Sequence, residues 1–114
     1  MEDRCIKAVA EGFGNGMKTA DTCSAVTGAI MAIGLMNADI PDAAERKEKN
    51  TAMVKRFKRI FTQKHGSTEC RHLLGTDIST PEGHKKAEDE GLFERLCKIY
   101  VEDAVGILET ISEK

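Results

Sequence analysis

TADTCSAVTGAIMAIGL, Thr19 to Leu35, sets a cysteine at the entry to a run made almost wholly of Ala, Gly, Val, Ile, Met and Leu. Thr or Asp before such a run marks a helix start, so a helix is expected from Asp21 or Thr22 to about Asn37. A helix apolar nearly all round belongs at the centre of a bundle, covered by its neighbours. Ala25, Gly28, Ala29 and Ala32 share one side of it, smooth enough for another backbone to approach. Gly28 and Gly34 each cost about 1 kcal/mol relative to Ala inside a helix, which points to packing at those positions. The stretch Ala25 to Leu35 is therefore expected to be the most buried, and a charge at Gly28 to be severely destabilising.

The flanks read as further helices. Upstream, Asp3 opens a short one with Ile6, Val9, Ala10 and Phe13 on one face, ended by the glycines of GFGNGM. Downstream, Pro41 suits the first turn of a helix reaching about Lys64. Within it, KRFKRI (Lys55 to Ile60) alternates cations with Met53, Val54, Phe57, Ile60 and Phe61, the pattern of a wet and a dry face. His65, Gly66 and Ser67 end that helix and open a short one, TECRHLL, closed by Gly75. Ser79 or Thr80 with Pro81 opens another, ending at Gly91. A last helix from Leu92 to about Ser112 carries Phe93, Leu96, Cys97, Tyr100, Ala104, Ile107, Leu108 and Ile111 on a core face. No strand alternation or internal repeat appears. The expected fold is all-α: a compact bundle of five to six helices around an apolar central helix, one domain over residues 1–114.

Of the 114 residues, 40% are hydrophobic, 32% charged and only 4% aromatic, so the core must be aliphatic. A net charge of −2 argues against nucleic acid as a partner, because phosphate binding needs a cationic surface. The dozen apolar residues from Ala25 to Met36 fall short of the ~20 that span a bilayer, and the acidic N-terminus does not read as a secretory leader. Cytoplasmic residence is the expectation, and there four cysteines are more often buried, catalytic or metal-bound than paired in permanent disulfides.

Cys23 would lie in the first turn of its helix, where unpaired N–H groups and the helix dipole favour a thiolate. It is expected to alkylate ahead of Cys5 and Cys97. The alternative is a small apolar side chain at a tight packing point. Cys70 stands in the same position at the start of TECRHLL, beside Arg71 and near His72. Cys97 belongs to the apolar stripe of the last helix and reads by itself as a buried core thiol. Cys5, beside Arg4, reads as structural or incidental. No C-x-x-C pair is present, so any site must be assembled from distant helices. A tetrahedral zinc or iron–sulfur site from Cys23, Cys70, Cys97 and His72 is the alternative to thiol chemistry. GFGNG lacks the lysine of a phosphate-binding loop and the strand context of a dinucleotide loop, and neither His65 nor His84 belongs to a nearby catalytic constellation of carboxylate and serine. The carboxylates of AEDE and VEDA read as solvated helix faces.

Taken in order, GFGNGM, CSAVTGAIMAIGL, GSTECRHLLGTDISTPEG and EGLFERLCKIYVEDAVGILE resemble the C_GCAxxG_C_C family of redox-active proteins, which is similar to part of split-Soret cytochrome c. The likeness runs from Gly12 onward, as in an N-terminally short member. Cys23, Ala25 and Gly28 match its CGAxxG element, with Ser24 where the element has glycine. Cys70 matches the cysteine after the Gly-Ser-Thr turn, and Cys97 the one near the start of the last helix. The resemblance implies a redox site of Cys23, Cys70 and Cys97, with Cys23 in a disulfide with Cys70 or Cys97 and a partner protein or small thiol exchanging electrons with it. A chain of packed helices with structural cysteines, its apolar helix serving a homodimer, is the remaining alternative.

Overall fold

The computed structural model describes residues 2–112, and among them are six α-helices and no strand. They are α1 (Asp3–Ala10), α2 (Ser24–Met36), α3 (Ala43–His65), α4 (Cys70–Leu74), α5 (Pro81–Asp89) and α6 (Lys98–Ser112). The helix starts follow local chemistry. Asp42 accepts a hydrogen bond from Ala44 N at 3.2 Å and caps α3, which leaves Pro41 just outside the helix it was expected to open. Thr80 Oγ1 accepts from Gly83 N at 3.1 Å, with Pro81 in the first turn of α5.

Three long helices make the body, with α2, α3 and α6 packed pairwise on one another. Val26 and Ile33 of α2 and Phe57 and Phe61 of α3 are fully enclosed. Tyr100, Ala104, Ile107 and Ile111 of α6 close this core from the third side. Burying each of the large side chains stabilises by about 1.5–3 kcal/mol. In KRFKRI, Phe57 is buried while Lys55, Arg56, Lys58 and Arg59 are exposed, as its alternation requires. A second, smaller cluster gathers Ala20, Cys70, Leu74, Ile78, Ala87 and Leu92 where α4 and α5 meet the end of the bundle.

Two features depart from the expected arrangement. α6 does not begin at Leu92: a single wide π-helical turn, Phe93–Cys97, precedes it and runs straight in. α2 is also not enclosed on every side. Its buried residues are Ala25, Val26, Ala29 and Ile33, whereas Gly28, Leu35 and Met36 are exposed. The cause is architectural: α3 and α6 pack along α2 and the short turn Glu11–Phe13 touches it, and among the described residues no further helix lies over the side that carries Gly28. α1 buries no residue at all.

Candidate thiol site

The end of the bundle that carries the thiols is tied by backbone. Thr22 and Glu69 form an isolated antiparallel bridge between the approach to α2 and the approach to α4. Cys23 N donates to Thr68 O at 2.8 Å, and Cys70 N donates to Asp21 O at 2.5 Å. In an antiparallel pair the residues following each bridge partner point to the same face and stand diagonally, about 7–8 Å apart. Cys23 and Cys70 hold those two positions, near the reach of a disulfide, whose Cα atoms lie about 4.4–6.8 Å apart.

Arg71 secures the arrangement. Its guanidinium donates to Ala20 O at 3.1 Å, to Thr19 O at 3.2 Å and to Asp21 Oδ1 at 3.1 Å. At the other end of α4, Tyr100 Oη donates to Leu73 O at 2.8 Å, so the short helix is pinned to α6 as well. Gly75, left-handed at φ 74°, then ends α4.

Beneath Cys70 runs an unusual turn. Asn15, Gly16, Met17 and Lys18 all have left-handed φ, from 56° to 68°, and Ala20 returns to that region at 57°. Each non-glycine residue there costs roughly 1–2 kcal/mol. Asp21 N closes the turn on Gly16 O at 2.7 Å. Gly16 is required twice over, by its φ of 62° and because a Cβ there would stand 2.7 Å from Cys70 Cβ and 2.6 Å from Asp21 N. The GNGM segment thus serves as the floor on which Cys70 rests.

Cys23 is the N-cap of α2 rather than a residue of its first turn. Burial pushes its thiol pKa up, and the amides of Ala25 and Val26, which favour the thiolate, only partly offset this. The expected lowering at a helix start is therefore reversed by desolvation. Cys70 is pushed up to about 11, first by burial and then by the negative charge that Cys23 and Cys97 would carry, against the pull of Arg71. Cys97 is raised by burial and by Cys23. Tyr100 is raised by burial and then by Cys23, Cys97 and Cys70, so it adjoins all three thiols. Cys23 and Cys70 are only 8% and 7% exposed, Cys97 is half-buried, and Cys5 stands exposed on α1.

His72 is on the surface, its Nδ1 3.3 Å from Ser67 Oγ and 3.2 Å from Glu69. Among the described residues no group of three or more His, Cys, Asp or Glu is arranged to hold a metal ion. All four cysteines are free thiols.

Sequence reasoning missed the polar cluster behind Tyr100. His65 Nε2 lies 2.8 Å from Asp103, whose other oxygen is 3.2 Å from Lys64 Nζ. The His65 ring sits between Phe61 and Tyr100, 4.8 Å from each. Partial burial raises the Asp103 carboxyl, but Lys64 and His65 outweigh it and hold the group below its usual range. Asp103 belongs to VEDA, so that stretch is not merely a solvated face. His65 and Asp103 are 38 positions apart in the chain, and only the packing of α3 on α6 joins them.

The fold and the site define a helical protein in which backbone pairing sets two buried cysteines on one face at an end of the bundle, with a third, Cys97, packed against the cluster that holds Cys70. The chain belongs to the family described as "Putative redox-active protein (C_GCAxxG_C_C)", which it matches over residues 1–111, α1 included. No curated protein and no solved structure matches it. Among the described residues no helix is long and apolar enough to cross a membrane.

Proposed function

We propose that this chain is a cytoplasmic dithiol reductant in which Cys23 and Cys70 form the redox pair and Cys97 is the most exposed of the three site thiols. The observation that supports it is the Thr22–Glu69 bridge, which sets two buried cysteines on one face without any C-x-x-C motif. One thiol, as its thiolate, attacks a disulfide of a partner protein or a small molecule and releases the first reduced thiol, leaving a mixed disulfide. The second attacks that mixed disulfide and releases the other. Two electrons and two protons pass to the acceptor, and Cys23–Cys70 becomes a disulfide, to be reduced again by an external thiol.

The direction follows from the thiol pKa values. Strong oxidants of this chemistry stabilise their reduced form as a thiolate. Here burial raises all three thiols, so the thiolate stabilisation that marks a strong oxidant is missing at neutral pH, which favours the reductant reading.

Equilibration of protein purified without oxygen in glutathione or dithiothreitol buffers, with peptide mapping of disulfides, tests this. A Cys23–Cys70 disulfide at the oxidised end is expected. Three thiols that stay reduced under oxidant, linkage through Cys5 alone, or stoichiometric zinc or a visible cluster band in the purified protein would overturn it.

A further inference from the structure

One surface of the molecule is built like an interior. Along the uncovered side of α2, Ala25, Gly28 and Ala32 face Val101, Val105 and Leu108 of α6 across an apolar groove of about 310 Å³. Its walls are exposed: Val101 and Val105 are each 50% accessible, and Leu35 and Met36 extend the apolar strip at the end of α2. Gly28 leaves the floor open, since a Cβ there would meet nothing within 4 Å.

A matching ridge exists in the same chain. α1 is strongly amphipathic yet has no fully buried residue: Ile6 and Ala10 are half-buried, and Val9, beside them on the same face, is 60% exposed. The molecule is correspondingly short of burial. It exposes 7403 Å², against roughly 6,200 Å² for a folded monomer of its mass. Its radius of gyration is 15.1 Å, against about 13 Å for a compact chain of this length. The excess surface is larger than the about 800 Å² that each partner gives to a standard interface.

We infer that the groove is the seat of α1 from a second copy of this chain, each copy lending its α1 ridge to the other's α2–α6 groove in a two-fold dimer. A helix ridge fits a groove floored by Gly and Ala as closely as helices pack in a core, which two concave grooves facing each other cannot match. The inference stands independently of the redox reading.

Sedimentation equilibrium of the full chain, with circular dichroism of each variant, tests it. The parent is expected at twice the 12.5 kDa mass of one chain. Val9→Glu on the ridge and Val105→Glu in the groove change exposed positions and should each give a folded monomer, with association weakened by about tenfold or more. Mixing the two variants should restore a dimer, because that pair keeps one intact ridge and one intact groove on opposite copies. A parent that is monomeric throughout, a dimer indifferent to Val9→Glu, or a mixture that stays monomeric would overturn the inference.

Discussion

Cys23 and Gly28 stand one helical turn and a residue apart, both in the stretch that resembles the family's CGAxxG element, and their surroundings are opposite. Cys23 is enclosed at an end of the bundle where backbone hydrogen bonds fix every neighbour. Gly28 faces an open groove with no atom near the place its side chain would fill. Hydrophobicity does not separate the two environments, because both segments are apolar. What separates them is whether another element arrives: α4 and the segment leading into it meet Cys23, and among the described residues nothing fills the space beside Gly28.

Truncation inside the bundle should give the largest effect. Ile33 shares α2 with Gly28 but is fully buried against α3 and α6. Ile33→Ala should lose about 2–5 kcal/mol in urea unfolding, the cost of a large-to-small change in a core. An unchanged midpoint would mean that the inner face of α2 is as loosely covered as the outer one.

Next comes the floor of the thiol site. Gly16→Ala must place a Cβ against Cys70 in a left-handed conformation. Conformational strain of about 1–2 kcal/mol and overpacking of about 1–3 kcal/mol should combine to roughly 2–5 kcal/mol. The same variant should change the yield of Cys23–Cys70 disulfide in mapped digests, since Cys70 has to shift. A variant that is as stable as the parent and oxidises identically would remove the turn from the site.

The thiols also give the closed end a pH signature. Their folded pKa values are raised, so the unfolded chain releases these protons first as pH rises. Stability is fully present below the ordinary thiol value of 9.0 and should decline as pH climbs from 9.0 towards the about 11 of Cys70. Denaturation midpoints that rise across that interval would show the opposite linkage. In native protein at neutral pH, maleimide mapped by mass spectrometry should label Cys5 first, then Cys97, and Cys23 and Cys70 last. This inverts the order that a helix-start thiolate at Cys23 implies, and early labelling of Cys23 would restore it.

Most of the helices were legible because apolar period and end chemistry are local. Asp42, Thr80 with Pro81, and Gly75 mark their boundaries within a residue or two. Cys23 and Cys70 were legible as candidates through two helix starts, whereas Cys97, on its apolar stripe, read as a core thiol and became a candidate only through the family resemblance. The state of these thiols was not legible, because a thiol at a helix start is pulled down by nearby amides and pushed up by burial, and only the packing of α4 says which dominates. The His65–Asp103 contact, the clamp at Arg71 and the π-helical turn Phe93–Cys97 have no local signature. The first two join segments tens of residues apart. The open side of α2 escaped for the same reason: an all-apolar helix states that it needs covering, not whether the chain covers it.

The smallest effect lies on the open side and separates the two environments most cleanly. A glycine packed tightly in a helix contact loses stability when a methyl is added, whereas one facing empty space gains, because alanine is the better helix former by about 1 kcal/mol. Gly28→Ala made in a Val9→Glu chain, kept monomeric by that charge, should therefore raise the unfolding free energy by about 0.5–1 kcal/mol. Gly28→Glu in the same background should stay within about 0.5 kcal/mol of its parent, as surface changes usually do. A severe loss in either would show that the helix is enclosed at Gly28 after all, as the sequence alone suggests, and the contrast with Cys23 would disappear.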